Sequence, residues 1–441
     1  MFARLVPPAL AEAALQHLRG EGVQRGAIVA WLGHNSWDML ATLVACEQIG
    51  AVLLPLNWRL AAAELAQIVR HAGAGHLMGT PEMQALAEAV LAQAPLQPGP
   101  AAGVQRGDLL LVYTSGTTGR PKGAMHTSAG LQANAVAAIA AQGFDASTRV
   151  LSVLPLFHVG GLCIQTLPAL AAGAKVLLHA RFEASAWFDA VAAWRPTTTL
   201  LVPAIMRALI EHPRWAAADL ASLRFINCGS QIVPRPLIDV FHARGVPVAQ
   251  VYGATETGPV SIVLRPDEAM AHAGHAGRPA LGVQLRLAAD GEVLLKAPNL
   301  MRGYHREREA GFDPEGWFHT GDLALRHDDG CVEIVGRSKD LIISGGENIH
   351  PAEIENLLDG HADIAECAVV GVADARWGEV PVLVVVARAG HTVDAAALLA
   401  GLAGRLARFK LPQRVLVLDA LPKTALGKVQ RADLARRIGA S

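Results

Sequence analysis

The chain has 441 residues, of which 52% are hydrophobic and 17% are charged. This composition supplies ample apolar material for a large core and excludes general disorder. The 38 lysines and arginines nearly balance the 39 aspartates and glutamates, giving a net charge of −1, which argues against nucleic acid or an anionic membrane as the main partner.

Helix-like and strand-like segments alternate in the first part of the chain. Helical periodicity at residues 11–22, 38–50 and 63–73 alternates with short apolar runs at 27–33 and 51–57, which predict buried strands. This β-α-β order predicts a parallel sheet with helices on its faces. Further short apolar strands, separated by alanine-rich helical stretches, are predicted at residues 150–155, 175–180, 198–203, 225–230 and 248–253.

The pattern changes after about residue 282. A strand–turn–strand signal at 283–298 predicts a hairpin, and another strand is predicted at 331–337. The remainder has the order of a separate α+β unit. Its predicted elements are a helix at 351–360, two strands within 366–390, a helix at 395–409 and a strand at 414–422.

Targeting segments and metal motifs are not evident. No stretch provides the ~20 apolar residues of a membrane span, and Glu12 stands where a secretory signal would be apolar. We expect a soluble, cytoplasmic protein with its five cysteines reduced and buried. His272 and His275 have no thiol beside them in sequence and no HExxH spacing, so no zinc site is expected.

The strongest chemical signal is the segment YTSGTTGRPKG at residues 113–123, directly after an apolar strand. Its glycines let backbone N–H groups approach an anion, its hydroxyls donate hydrogen bonds and Lys122 adds positive charge. It is not a Walker A loop, because Lys122 precedes Gly123 rather than Ser or Thr. The alternative is a polar surface loop, but the length of the pattern favours a phosphate cradle.

Four further segments accompany this one: YGATETG at 252–258, WFHTGDL at 317–323, GRSKDLIISGGENIHP at 336–351 and PKTALGK at 422–428. Together the five resemble, in order, the motifs of the adenylate-forming superfamily, which includes acyl-CoA synthetases, peptide-synthetase adenylation domains and luciferases. The resemblance implies an α/β fold with a large N-terminal domain (1–337) and a mobile α+β C-terminal domain (338–441), hinged near Lys339. The large domain would contain parallel-rich sheets layered with helices and a small barrel-like β part.

The resemblance implies an enzyme in which a carboxylate attacks the α-phosphate of ATP, pyrophosphate leaves and an acyl-adenylate forms. Because one anion attacks another, the site must neutralise charge and hold the reactants in line. Lys428 would reach the α-phosphate and the carboxylate, Thr255 would hydrogen-bond the α-phosphate, and His158 would border the carboxylate pocket. Glu256, also counted as catalytic, would hold Mg²⁺ together with Thr118.

The residues implied to bind ATP or AMP fall into three groups. Those of the phosphate cradle are Thr114, Ser115, Gly116, Thr117, Thr118, Gly119 and Lys122. Those beside adenine and the acyl pocket are Gly229, Ser230, Gln231, Tyr252 and Gly253, with the ring face of Tyr252 against adenine. Asp322 would accept hydrogen bonds from the ribose hydroxyls, supported by Arg337. Taken singly, such residues are also common as helix caps, core or surface groups.

Two features favour the acyl-CoA ligase branch. The hinge motif contains small residues, as close approach of a pantetheine chain requires, and one tryptophan matches a residue near the CoA nucleotide in aryl-CoA ligases. The residues implied to bind CoA are therefore Ser344, Gly345, Gly346 and Trp377. Three basic residues have two possible roles: they contact the CoA phosphates, or they form a solvated helix face. These residues are Arg405, Arg408 and Lys410.

The acid itself is left open. Val251 stands where malonate-specific relatives have arginine, which disfavours a dicarboxylate. The segments expected to line the acyl pocket (158–165, 226–229 and 251–262) are largely apolar with small residues, typical of a pocket for an aromatic or medium-chain acid. The alternatives are an o-succinylbenzoate–CoA ligase, a non-CoA adenylating enzyme and a catalytically silent acyl-adenylate or CoA binding protein. The expected partners are small molecules (the acid, ATP with Mg²⁺, and coenzyme A), and a homodimer is left open.

Overall fold

The computed structural model describes residues 5–114, 121–230, 232–307, 311–344, 347–374, 376–403, 405–424 and 427–439. Its helices are α1 (Pro8–Gly20), α2 (Trp37–Ile49), α3 (Ala62–Ala72), α4 (Gln84–Leu91), α5 (Ser128–Gln142), α6 (Leu167–Ala171), α7 (Ala184–Trp194), α8 (Pro203–Ile210), α9 (Arg235–His242), α10 (Pro351–Leu358), α11 (Ala395–Leu402) and α12 (Arg431–Gly439). Within the described residues, none of these helices is both long and apolar enough to cross a membrane.

The strands are β1 (Ile28–Leu32), β2 (Val52–Leu56), β3 (His76–Gly79), β4 (Asp108–Thr114), β5 (Lys122–Thr127), β6 (Arg149–Ser152), β7 (Lys175–Leu178), β8 (Thr198–Leu201), β9 (Phe225–Gly229), β10 (Val248–Tyr252), β11 (Ile262–Val263), β12 (Arg278–Pro279), β13 (Gln284–Leu287), β14 (Glu292–Lys296), β15 (Gly303–Tyr304), β16 (Phe318–Arg326), β17 (Val332–Arg337), β18 (Ile342–Ser344), β19 (Glu347–Ile349), β20 (Ile364–Asp374), β21 (Gly378–Ala387) and β22 (Arg414–Val417).

The first sheet has six strands in the order β15-β5-β4-β2-β1-β3. Its strands β1 to β4 run parallel, so the parallel sheet predicted from the β-α-β order is confirmed. Every residue of β1 and β2 is buried, because α1 and α2 pack on one face and α3 and α4 on the other. Strands covered on both faces have continuous apolar runs rather than alternating ones.

The second sheet has seven strands in the order β12-β11-β10-β9-β8-β6-β7. The five strands from β10 to β7 are parallel, and β11 and β12 continue the edge antiparallel. The carboxyl ends of β9 and β10 therefore meet at one edge, which is where open α/β sheets commonly bind ligands.

The small β part is a four-stranded antiparallel sheet in the order β13-β14-β16-β17. The hairpin predicted at 283–298 is confirmed as β13 and β14. Strand β16 carries Asp322 directly opposite Arg337 of β17, so this sheet brings together two of the predicted nucleotide residues.

The C-terminal sheet pairs β19-β18-β21-β20, with β22 parallel beside β21. Apolar clusters cover both of its faces, so this part has a core of its own, as expected for a separate domain; the boundary after residue 337 stays a prediction. The helix predicted at 395–409 is too long, since α11 ends at Leu402 and a 3₁₀ turn follows at Arg408–Lys410. Glycines at 401 and 404 lower the helix propensity of this segment.

Two ion pairs join the C-terminal part to the second sheet's helices. Arg207 of α8 contacts Asp359, which follows α10. Nη1 of Arg388, just after β21, lies 3.5 Å from Oε1 of Glu211. These contacts connect the C-terminal part to α8 and to the residue that follows it.

Candidate active site

Strands β4 and β5 flank the predicted phosphate cradle. They pair antiparallel, with Thr114 opposite Lys122. The cradle residues between them lie outside the described part of the chain: Ser115, Gly116, Thr117, Thr118 and Gly119. Nζ of Lys122 is 3.2 Å from Oε2 of Glu307 and 4.9 Å from the centre of the Tyr304 ring. The cation is therefore held at the edge of the cradle by an acidic and an aromatic neighbour.

Close backbone approach explains the glycines where β9 and β10 end. A Cβ atom at Gly229 would lie 2.3 Å from the carbonyl oxygen of Val251, and one at Gly253 would lie 1.7 Å from that of Pro259. No larger residue fits either place. Ser230 has a φ of +72°, so it occupies the left-handed region and turns the chain away from the sheet. Gln231 lies outside the described residues.

Asp322 is a buried carboxylate with two fixed partners. Nε of Arg337 lies 2.7 Å from its Oδ1, and the hydroxyl of Tyr252 donates to its Oδ2 at 2.8 Å. Burial raises the pKa of Tyr252, and the charge of Asp322 raises it further, so the phenol stays a donor. A carboxylate has about four acceptor sites, so Asp322 retains capacity for two more donors, the number a ribose diol offers.

Glu256 is positioned by a tyrosine that the sequence analysis did not single out. Residues Thr255–Thr257 form a 3₁₀ turn after β10, and the hydroxyl of Tyr304 on β15 donates to Oε1 of Glu256 at 2.8 Å. Burial, then the charge of Glu256, raises the pKa of Tyr304, which keeps it protonated. The second carboxylate oxygen makes no hydrogen bond to described residues, and a carboxylate oxygen suits a hard cation such as Mg²⁺.

Lys428, in the C-terminal part, lies within the electrostatic influence of Asp322 and Glu256. Two hydrogen bonds to Thr424 fix the backbone of Lys428. The Lys428 N–H donates to Oγ1 of Thr424 at 3.2 Å, and the Thr424 N–H donates to the Lys428 carbonyl at 2.8 Å. The residue keeps solvent exposure, yet burial of its ammonium group lowers its pKa. The positive charge of Arg337 lowers this pKa further, while Asp322 and Glu256 act in the opposite direction. The lysine thus lies within electrostatic reach of both carboxylates.

His158 also lies within the electrostatic influence of Lys428. Burial lowers the pKa of His158 to about 3, and the charges of Lys428 and Arg59 contribute, so the imidazole is neutral. Its Nε2 is buried and has no hydrogen-bond partner among the described residues. Such an orphaned polar atom costs free energy and is a place where a bound polar group would be satisfied.

The segment after His158 is irregular and is supported by buried polar side chains. Residues Gly160–Thr166 form a π-helical stretch, a feature that often marks functional sites. Asn134 donates to the carbonyl of Cys163 at 2.7 Å, and Gln165 donates to Oδ1 of Asn227 at 2.6 Å. The expected acyl-pocket segments, described from sequence as largely apolar, therefore also contain a buried amide network.

The predicted hinge and CoA residues lie on the C-terminal part. Lys339 is in the 3₁₀ turn Ser338–Asp340. Ser344 pairs with Gly378, next to Trp377, which is 43% exposed; Gly345 and Gly346 lie outside the described residues. Lys410 is engaged by Glu353, whose oxygens are 2.7 and 2.8 Å from its Nζ, so it is not simply a solvated cation. Arg405 and Arg408 are exposed.

Some contributors could not be found from motifs. Tyr304, Glu307 and His126 lie outside the five segments, and only strand pairing brings them to the site. His126 is 1% exposed, and burial lowers its pKa to about 4. In the sequence, Tyr304 and Glu307 are isolated polar residues within residues 303–307. This segment has no recognisable pattern, so nothing in it predicted their place at the site.

Comparisons with known proteins agree with this geometry. A family model described as AMP-binding enzyme matches residues 9–305, and one described as AMP-binding enzyme C-terminal domain matches 353–428. The chain is 46% identical to an indoleacetate–CoA ligase of Aromatoleum aromaticum, over 96% of this chain and 91% of that protein. It is 42% identical to a feruloyl-CoA synthase of an Amycolatopsis species, with the same coverage.

Among solved structures, the o-succinylbenzoate CoA synthetase of Bacillus subtilis in complex with its acyl-adenylate intermediate has a TM-score of 0.85 and 31% identity, covering 97% of this chain and 91% of that one. The same enzyme has been solved with ATP and a magnesium ion, at a TM-score of 0.86 and 30% identity, covering 97% and 93% of the two chains. The likeness therefore extends over both parts of the molecule.

Proposed function

Since the chain belongs to the AMP-binding enzyme family and is an AMP-forming acyl-CoA synthetase, we propose that it activates an aromatic carboxylic acid and transfers the acyl group to coenzyme A. The observation that carries this proposal is that two carboxylates, Asp322 and Glu256, are each fixed by neighbouring side chains and both lie within electrostatic reach of Lys428. A cation, a metal-binding carboxylate and a diol-binding carboxylate are what the condensation of an acid with ATP requires.

In the first half-reaction, a carboxylate oxygen attacks the α-phosphorus of ATP and the bond to pyrophosphate breaks. Lys428 supplies positive charge to the reacting oxygens, and the Thr255 hydroxyl donates to the α-phosphate. Placing such groups where charge develops is usually the largest catalytic contribution. Mg²⁺, when bound, neutralises phosphate charge; Glu256, oriented by Tyr304, and Thr118 would hold it. Lys122 and the hydroxyls of the cradle would bind the β- and γ-phosphates.

The nucleoside is held by the small sheet and the end of β10. Asp322, already fixed by Arg337 and Tyr252, would accept hydrogen bonds from the two ribose hydroxyls. The ring of Tyr252 and the backbone at Gly229, Ser230, Gln231 and Gly253 would enclose adenine. A carboxylate fixed beforehand loses little entropy when the nucleotide binds.

The residues expected to line the acid pocket favour an acyl group without a second charge. Neither Val251, which is 4% exposed, nor neutral His158 supplies a cation to a second carboxylate, and the positive charges that act on His158 are those of Lys428, assigned to the reacting carboxylate, and Arg59. Nε2 of His158 is available to the single carboxylate or to a polar substituent. The indoleacetate and feruloyl relatives support an aromatic acid with a short side chain over a medium-chain fatty acid.

In the second half-reaction, the CoA sulfur, having lost its proton to solvent, attacks the acyl carbonyl and AMP leaves. We propose that the C-terminal part turns near Lys339, withdraws Lys428 and presents Ser344, Gly345, Gly346 and Trp377 to CoA. The free cysteines among the described residues favour a reducing compartment, and we place the enzyme in the cytoplasm.

A carboxylate panel tests the proposal. Indoleacetate, ferulate, o-succinylbenzoate, octanoate and malonate would be compared by pyrophosphate release without CoA and by thioester formation with CoA. We expect indoleacetate or ferulate to give the highest kcat/KM and malonate none. A preference for octanoate or malonate would contradict the substrate class. Nucleotide binding without pyrophosphate release from any acid would indicate a silent binding protein instead.

A further inference from the structure

A cluster of metal-binding side chains lies away from the cleft. It joins the turns before β12 to the hairpin loop between β16 and β17, at the bridge where Ala276 and Gly277 hydrogen-bond Val332. One ligand atom each from His272, His275 and Cys331 lies within 4.8 Å of the other two. No zinc site was expected at His272 and His275 because no thiol lies near them in sequence, but the β16–β17 hairpin brings Cys331 beside both histidines.

The cluster contains an unsatisfied atom. Nδ1 of His275 is buried and has no hydrogen-bond partner among the described residues, and Cys331 is fully buried. A buried imidazole nitrogen without a partner costs free energy. A cation bound to this nitrogen would satisfy it, which is an independent indication of a ligand.

The donor set selects the metal. Two imidazoles and one thiolate suit zinc, whereas Mg²⁺ prefers oxygen. With Zn–N near 2.0 Å and Zn–S near 2.3 Å, ligand atoms of a tetrahedral site lie roughly 3.5 Å apart. The present spacing therefore needs only a small closing of side chains, and water can fill the fourth position.

The surroundings fit a zinc–histidine site. The carboxylate of Glu333 lies 3.0 Å from Nε2 of His327 and within 4.8 Å of a ring nitrogen of His275. The His327 ring stacks on that of His275 at 4.3 Å. Asp329 Oδ2 is 3.4 Å from Nδ1 of His272 and accepts from the backbone N–H of Cys331 through Oδ1 at 2.9 Å. These groups hold the imidazoles and the thiol in place.

We propose that His272, His275 and Cys331 form a zinc site with three protein ligands and a fourth position open to water. Binding releases the thiol proton and forms two Zn–N bonds and one Zn–S bond. The site ties the turns after β11 to the β16–β17 hairpin, the element that carries Asp322 and Arg337. Zinc would therefore stabilise the sheet on which the ribose contacts are built without taking part in the chemistry.

Metal content and a cobalt spectrum test this site in the full chain. The protein purified without chelator should contain one equivalent of zinc. After removal of zinc, Co²⁺ should give the intense d–d bands of a four-coordinate ion and a sulfur-to-cobalt charge-transfer band. Added zinc should displace the cobalt and raise Tm.

Variants make the result specific. Cys331→Ser should lose the charge-transfer band, and His272→Asn, at a half-buried position, should lose stoichiometric binding with the fold intact by circular dichroism. Cys367→Ser is the matched control and should bind as the parent does. Failure of the unsubstituted protein to bind zinc, a cobalt spectrum without sulfur charge transfer, or binding that survives both Cys331→Ser and His272→Asn would overturn the proposal.

Discussion

Replacement of Asp322 by alanine should weaken ATP binding far more than binding of the acid. The carboxylate is 6% exposed and already fixed by Arg337 and Tyr252, so its remaining acceptor sites are aligned before the nucleotide arrives. A hydrogen bond to a charged group contributes about 1.5–3 kcal/mol. The substitution should therefore raise the ATP dissociation constant by roughly 10–150-fold.

The substitution should leave the protein folded. The Arg337 side chain is 43% exposed, so water can solvate it once its partner is gone. Titration calorimetry with ATP, and KM for ATP and for the acid, measure the effect. Glu315→Ala, which removes an exposed carboxylate 3.4 Å from Arg286, is the matched control. An unchanged KM for ATP together with a raised KM for the acid would refute the assignment of the ribose site.

Lys428→Ala should abolish adenylate formation yet spare thioester formation from a pre-made acyl-adenylate; equal loss of both half-reactions, measured separately, would contradict the role given to this lysine. Lys339→Pro should slow thioester formation far more than adenylation in pre-steady-state measurements, because proline fixes φ near −65° and blocks a large dihedral change; a matching fall in adenylation would place the hinge elsewhere. Arg207→Ala removes the contact with Asp359 that holds the present orientation, so adenylation should slow by about fivefold or less, with thiolation from the adenylate unaffected; slower thiolation would argue against this function of the pair. His126 has a folded pKa of about 4, below the ordinary 6.5, so its contribution is present above pH 6.5 and is lost as pH falls toward 4. The free energy of unfolding, measured in urea, should fall between pH 7 and pH 5, and His126→Gln should make this fall smaller by about 2 kcal/mol or less. An unchanged pH dependence would show that another group is responsible.

The architecture was predictable where local patterns carry it. The buried runs of β1 and β2 and the helical periods between them determine a parallel sheet, because right-handed βαβ crossovers leave few other arrangements. The hairpin of β13 and β14 was equally evident from its turn. The end of α11 was not predictable in this way. The apolar periodicity of the sequence continues past Leu402, whereas the helix ends there because the nearby glycines lower its helix propensity.

The site was predictable only where a motif spans neighbouring residues. Asp322, Glu256 and Lys428 belong to recognisable segments, and both carboxylates act on the pKa of Lys428. The hydroxyl of Tyr304 reaches Glu256, and Cys331 reaches His275, through strand pairing between segments distant in sequence. Single-residue patterns do not encode such pairings, which depend on the register of β15 with β5 and on the loop between β16 and β17.

The central claim is that this chain makes an acyl-adenylate and then discharges it to a thiol. The most direct test incubates the enzyme with ATP, Mg²⁺ and indoleacetate or ferulate in the absence of CoA, and analyses the nucleotides by mass spectrometry. The account predicts enzyme-bound acyl-AMP and pyrophosphate, followed on addition of CoA by stoichiometric thioester and AMP. Formation of ADP and phosphate would contradict the account. So would thioester that forms although no acyl-AMP intermediate is made.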